Sequence, residues 1–203
     1  MEHAAAVSIP EPLADHSNGW EGIAPEFIAR RNRQIGVAVL AAWTRLLPAG
    51  ATILDLGCGF GEPCAKVLLD AGFEVHAIDA APSMVIEFQR RFPGTPCRCE
   101  AVEQSDFFQR RFDAITAIGL VFLLPAEDQR RVLRNAAKAL HPGGRLLFTA
   151  PWQACEWDDE LTGTRSRSLG RALYGQELAG QGLVLAAEYS DEGENHYFDF
   201  TRP

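Results

Sequence analysis

This chain has no run of the ~18 consecutive apolar residues that a membrane-spanning helix needs. Its first residues, Met-Glu-His-Ala-Ala-Ala-Val-Ser, carry neither the basic run nor the apolar core of a signal peptide. A cytoplasmic protein with no membrane partner is expected. Basic charge is also scarce, with 19 Lys and Arg against 27 Asp and Glu and a formal net charge of -8. Affinity for a phosphate backbone comes from concentrated basic charge, so nucleic acid is not expected as a partner. The arginine pairs Arg30-Arg31, Arg90-Arg91, Arg110-Arg111 and Arg130-Arg131 are dispersed and read as solvated surface. The five cysteines, Cys58, Cys64, Cys97, Cys99 and Cys155, are odd in number and form no Cys-x-x-Cys pair. No histidine stands at ligand spacing from them, so neither a zinc site nor a disulfide framework is expected, and no metal.

What is present is an ordinary globular composition, 47% hydrophobic and 23% charged over 203 residues. That is enough chain for one domain burying about 70% of its unfolded surface. Residues 1–24 are punctuated by Pro and Gly and read as extended, with Trp20 as the bulky anchor. From Pro25, apolar residues at helical spacing (Ile28, Ile35, Val39, Trp43, Leu46) predict one or two helices that stop at Pro48-Ala-Gly. Short apolar strands then alternate with helices: strands at Thr52–Leu56, Glu74–Ile78, Pro96–Glu100, Phe112–Ile118 and Arg145–Ala150. Helices follow the glycines after Leu56, run over Pro82–Arg91, and run from Pro125 to Leu140 with acids in the first turn and Lys138 in the last. A polar stretch from Pro151 to Arg167 precedes a helix that Ser168 can cap and Gly180 ends. Leu183–Tyr189 and His196–Phe200 form a closing strand pair. The expected fold is α/β: a doubly wound, seven-stranded, mostly parallel sheet with one antiparallel strand near the C-terminus and helices on both faces.

The chemistry gathers where the first strand ends, in Ile-Leu-Asp55-Leu-Gly57-Cys58-Gly59-Phe-Gly61-Glu62-Pro63. Strand, glycine turn and helix start bring bare backbone against a nucleotide-like ligand. A dinucleotide turn, Gly-x-Gly-x-x-Gly, needs its third glycine at position 62, where Glu62 stands. A carboxylate there also repels a pyrophosphate. The nicotinamide or flavin oxidoreductase reading therefore fails at that residue.

The pattern Asp55-x-Gly57-x-Gly59-x-Gly61 instead resembles motif I of the class I S-adenosylmethionine-dependent methyltransferases, and the resemblance covers about residues 50–151. It implies a turn wrapped around the amino-acid end of a cationic cofactor, S-adenosyl-L-methionine, with S-adenosyl-L-homocysteine as product. Asp79 ends the second strand 22 residues after Gly57 and matches the family's acid on both ribose hydroxyls. An ionised carboxylate suits two donors. Ala80 follows it, and Ser83-Met84 match the family's Ser-Met, with Met84 placed near adenine. Val102-Glu103 fits the adenine edge, with Asp106 as the other acid available. Ile118-Gly119, after the fourth strand, falls where the family faces the transferred methyl. His141-Pro-Gly-Gly144 matches the turn into strand five, so His141 is a turn residue.

The resemblance divides the single domain 1–203 into a lid or helical extension (1–47), a cofactor-binding core (48–151) and a substrate-side segment (152–203). Three groups of residues are candidates on the acceptor side. Trp20 belongs to the lid, Trp152, Trp157, Asp158 and Asp159 follow strand five, and Asn195, His196 and Tyr197 open the last strand. His196, Asp158 and Tyr197 are the catalytic candidates, His196 for its unperturbed pKa near 6.5. The Asn/Asp-Pro-Pro-aromatic motif of nucleic-acid amino methylation is replaced by Gly-Leu-Val-Phe-Leu-Leu-Pro. The expected function is methyl transfer to O, N or S of a small molecule by in-line displacement. The alternatives are a cofactor-binding protein or partner subunit without catalysis, and a protein side-chain methyltransferase. Monomer and homodimer both stay open.

Overall fold

The computed structural model describes residues 15–203, so the extended reading of residues 1–14 lies outside it. Seven strands form one sheet: β1 (Thr52–Leu56), β2 (Glu74–Asp79), β3 (Cys97–Cys99), β4 (Phe112–Ala117), β5 (Leu140–Thr149), β8 (Val184–Ser190) and β9 (His196–Thr201). Across the sheet they lie in the order β3-β2-β1-β4-β5-β9-β8. β1 to β5 run parallel, and β9 lies antiparallel between β5 and β8. The doubly wound sheet with one reversed strand is therefore as expected. The chain winds from β1 to one edge, then crosses to β4 and winds to the other, which opens a crevice beyond the carboxyl ends of β1 and β4.

Side-chain alternation along the strands feeds two cores. Ile53, Val75, Ala114 and Leu147 face α2 (Val37–Thr44) and α3 (Cys64–Asp70), where Leu40, Trp43 and Leu68 are fully buried or nearly so. Leu54, Ile115, Leu146 and Phe148 face α5 (Ala126–Ala139) and α6 (Gly170–Ala179). Phe148 stacks on Phe198 and Phe200 of the reversed strand, so aromatic area secures its docking. α4 (Pro82–Arg91) buries Met84, Val85 and Phe88, while Ile86 points outward.

Three features differ from expectation. α1 (Trp20–Arg30) begins five residues before Pro25, because Gly19 at φ 88 turns the chain directly into it and the Ser17 hydroxyl accepts the Glu21 N–H. The polar stretch after β5 folds as a hairpin, β6 (Cys155–Asp158) with β7 (Arg165–Ser168), outside the main sheet. β6 is largely exposed and the residues that β7 buries are Ser166 and Ser168, so no apolar alternation marks them in sequence. Phe107, Phe108 and Gln109 make a single left-handed turn, with φ of 50, 57 and 54, which leads the chain from the Glu103 loop into β4. Among the described residues no helix is long and apolar enough to cross a membrane.

Candidate active site

The turn after β1 is fastened to the end of β2. Gly57 and Cys58 N–H groups both donate to the Ile78 carbonyl, at 2.8 and 3.0 Å. The Gly59 N–H donates to Asp79 Oδ2 at 2.8 Å, and the Ala81 N–H to Asp79 Oδ1 at 2.9 Å. Gly57, Gly59 and Gly61 all have positive φ, a conformation that costs a side-chain-bearing residue about 1–2 kcal/mol. Their surroundings differ. A Cβ on Gly57 would meet Leu120 at 2.9 Å, and one on Gly61 would meet the Phe92 ring at 2.3 Å, whereas beside Gly59 the space is open. Gly61→Ala is accordingly expected to lower stability by about 3 kcal/mol, combining strained φ with overpacking. Urea unfolding checks this, and a loss below about 1 kcal/mol would show that α4 yields freely.

Two cavities meet above this turn. The larger, about 270 Å³, has a floor of Asp55, Gly57, Cys58, Cys64, Ile118, Gly119, Thr149 and Tyr197, with Glu62, Pro63 and Asn195 at its sides and Trp20, Phe27, Arg31, Phe122, Leu123, Asp159 and Leu161 over it as a roof. The smaller, about 80 Å³, is lined by Asp79, Ala80, Val102, Glu103 and Leu120 under His16, Ser17 and Asn18. Trp20, Gly57, Gly119 and Leu123 line both, so the two are parts of one cleft. The Gly119 N–H donates to Thr149 Oγ1 at 2.7 Å and ties the ends of β4 and β5 beneath it.

The acids differ in how their oxygens are used. Asp55, 1% exposed, accepts the Thr116 hydroxyl on Oδ1 at 2.8 Å, and its buried Oδ2 has no partner among the described residues. Burial pushes its pKa up to about 6, against the Thr116 hydroxyl and the neighbouring Cys64 thiol, which pull it down. Asp79 is also raised by burial, opposed by the N–H groups of Ala81, Gly59 and Ala80. Glu103 stands at the smaller cavity, whereas Asp106 is exposed and turned to Arg98 and Gln109.

The acceptor-side candidates are not all brought together. Tyr197 lines the larger cavity, with its hydroxyl donated to Asp191 Oδ2 at 2.7 Å. Asp159 lines it as well, its Oδ1 accepting Leu161 N–H, Thr162 N–H and the Thr162 hydroxyl. His196 lines neither cavity. Its Nε2 lies 3.0 Å from Glu188 Oε1 on the neighbouring strand, and its ring packs on Phe198. Asp158 pairs with Arg165 in the hairpin, and Trp152 is 56% exposed. Trp157 packs on Phe122 behind the cavity wall. Met84, expected beside adenine, is instead buried with Phe60 and Ala81 beneath α1, because Trp20, Phe27 and Ile28 cover it. Sequence reasoning missed Phe27, Arg31, Phe122 and Leu161 in the roof, which carry no motif. Thr149, a hydroxyl ending the apolar run Leu-Leu-Phe, was a usable signal. Among the described residues no three His, Cys, Asp or Glu are grouped to hold a metal ion.

Sheet order, reversed strand and glycine turn at the crevice define a Rossmann-like nucleotide-binding domain. Residues 53–144 match the family model described as a methyltransferase domain. The ubiquinone biosynthesis O-methyltransferase of Xanthomonas axonopodis pv. citri is 30% identical over 164 residues; the match covers 78% of this chain, which spans 60% of that relative's length. Its counterpart in Xanthomonas campestris pv. campestris is 26% identical over 189 residues, 91% of this chain and 70% of the relative. Among solved structures, the CcbJ methyltransferase of Streptomyces caelestis superposes with a TM-score of 0.70 at 17% identity, covering 92% of this chain and 97% of that one. The S-adenosylmethionine-bound amino pentose methyltransferase of calicheamicin biosynthesis from Micromonospora echinaspora gives 0.68 at 19% identity, covering 89% and 95%. At such identities the likeness is one of fold. Together with the motifs, the methyltransferase-domain match over residues 53–144 and the likeness to the O-methyltransferase relatives support the class I S-adenosylmethionine-dependent methyltransferase family.

Proposed function

We propose that this chain is a cytoplasmic S-adenosylmethionine-dependent methyltransferase acting on a hydroxyl of a small molecule. The observation that carries the reading is the pair of acids in one cleft: Asp55, which lines the larger cavity and keeps a buried Oδ2 without a partner, and Asp79, fixed by two backbone N–H groups at the smaller. A buried carboxylate with a free oxygen is costly unless a donor meets it, and the ammonium of a methionine moiety is such a donor. The open space beside Gly59 lets that moiety lie on bare backbone. Asp79 retains a lone pair on each oxygen for the ribose hydroxyls. Val102, Ala80 and Leu120 offer apolar walls for the adenine, with Glu103 at its edge.

The chemistry such a cofactor brings is a methyl group on a sulfonium, open to in-line displacement. This chain's residues supply alignment and dryness. Ile118 and Gly119, on the floor of the larger cavity, bound the space where acceptor and methyl meet, and Trp20, Phe27, Phe122 and Leu161 keep water out. Asp159, its Oδ1 already taken by three donors, keeps Oδ2 for the acceptor's proton. The hydroxyl assignment draws on the relatives, which are named O-methyltransferases. The aromatic roof and the acidic net charge favour a small apolar acceptor over nucleic acid. Calorimetric titration tests the cofactor: micromolar binding of S-adenosylmethionine and S-adenosylhomocysteine, and no heat with NADH. Heat with NADH alone, or with none of the three, overturns the reading.

A further inference from the structure

Position 62, where a dinucleotide turn would have glycine, holds a carboxylate that joins three parts of the molecule. Glu62 Oε1 accepts Arg91 Nη1 of α4 at 2.6 Å, and Oε2 faces Arg33 Nε, from the link between α1 and α2, at 3.0 Å. The Glu62 and Arg91 side chains are 14% and 17% exposed, while Arg33 is 46% exposed. The same two guanidinium groups lie over the Phe60 ring, Arg91 at 5.0 Å and Arg33 at 5.9 Å. Phe60 belongs to the glycine turn and also packs edge-on against Phe27 of α1. The turn thus presents a ring and a carboxylate to the roof, and Arg91 lies on both.

We infer that Glu62 is a positioning residue for cofactor capture: its pairing with Arg33 latches α1 and the following link onto the glycine turn, and this latch governs how long the cofactor stays bound. The inference rests on the cofactor reading above. Trp20 of α1 lines both cavities, so a ligand spanning them lies beneath α1 and leaves when α1 lifts. Lifting breaks the Arg33–Glu62 pair, the Phe27–Phe60 contact and the two hydrogen bonds that Glu21 of α1 accepts from Ser83 of α4. Glu62 is not stranded by this, because Arg91, itself held by Glu87 at 2.7 Å, remains on it. Arg33 is therefore the removable member and Arg91 the fixed one.

The test measures S-adenosylhomocysteine dissociation by stopped flow, with the fluorescence of Trp20 as reporter, in the wild type and in Arg33→Gln, Arg33→Lys and Glu62→Gln. Because the pair is half exposed, Arg33→Gln is expected to raise the dissociation rate about three- to fivefold. Glu62→Gln should raise it by a similar factor, since the same Arg33 pair is lost while Arg91 keeps Glu87 and stays with the turn whether or not α1 lifts. Arg33→Lys keeps the charge and should restore a rate near wild type. Salt at about 0.5 M should raise the wild-type rate towards that of Arg33→Gln and leave the variant nearly unchanged. Trypsin supplies a second readout at Arg30 and Arg31, where ligand protection should weaken in Arg33→Gln while its melting temperature stays within about 2 °C of wild type. Tight binding with equal, salt-insensitive rates in all four proteins overturns the latch and leaves the cofactor reading standing. Absence of binding in the wild type overturns both.

Discussion

Asp79→Asn is expected to weaken S-adenosylhomocysteine binding by about a hundredfold, roughly 2.7 kcal/mol, while leaving the protein folded. The substitution keeps the shape and changes only what the two terminal atoms can do. In the native site both oxygens accept backbone N–H groups, Gly59 on one side and Ala81 on the other. An asparagine offers one acceptor and one donor. Whichever way the amide lies, its NH₂ points at a backbone N–H, so one of these bonds is replaced by a donor facing a donor. If the amide oxygen stays on Ala81, the Gly59 N–H is released and the turn that should receive the methionine end loosens. If it stays on Gly59, the start of α4 is released. In both cases the ribose loses one of two charge-assisted hydrogen bonds, each worth about 1.5–3 kcal/mol. Titration calorimetry of both proteins at pH 7.5 reads the difference. A dissociation constant within threefold of wild type would mean that Asp79 shapes the turn without touching the ligand.

What could be read in advance was local. The glycine turn, Asp55 and Asp79 announce themselves because backbone dihedrals and a strand-ending acid are properties of a few adjacent residues. The central parallel strands β1, β2 and β4 show as short apolar runs for the same reason, since both of their faces are buried. The edge strand β3, Cys97–Cys99, is half-exposed and shows weakly. Glu62 illustrates what stays hidden. Its sequence neighbours suggest only a departure from a dinucleotide turn, and its function rests on Arg33 and Arg91, which lie far from it along the chain on either side. His196 illustrates what strand pairing adds. A histidine at the start of a late strand suggests a base, yet the strand pairing that sets Ser190 opposite His196 also brings Glu188 to its ring. The β6–β7 hairpin escaped because the side chains it buries are the serines Ser166 and Ser168, so it has no hydrophobic alternation to display. Roof residues such as Phe27 and Phe122 were invisible as site residues, since an apolar side chain facing a ligand and one facing a core look alike in sequence.

Asp55→Asn is expected to stabilise the ligand-free protein near neutral pH and to cost it its ligand. The folded pKa of Asp55 is raised to about 6 from 3.8, so between those values the folded state holds a proton that the unfolded chain has released. By linkage, stability then falls as pH rises through that window, and the loss reaches roughly 3 kcal/mol by pH 7. An asparagine has no charge to bury. Its oxygen can keep the Thr116 hydrogen bond, while its NH₂ replaces the unpartnered Oδ2 at a cost of about 1–2 kcal/mol. The net expectation is a variant less stable than wild type by roughly 1 kcal/mol at pH 4 and more stable by about 1–2 kcal/mol at pH 7.5, measured by urea unfolding at both pH values. Binding should move the other way. The free carboxylate oxygen is what a ligand ammonium would meet, so wild-type affinity for S-adenosylhomocysteine should fall as pH drops from 7 towards 5. In the variant it should be weak throughout, and any remaining slope belongs to Asp79, which burial raises in the same direction. If Asp55→Asn is less stable than wild type at pH 7.5 and binds equally well, Asp55 is a structural acid and the cleft holds its ligand by other groups. If the variant is more stable and binds poorly, this carboxylate is a destabilising charge whose partner is the ligand itself.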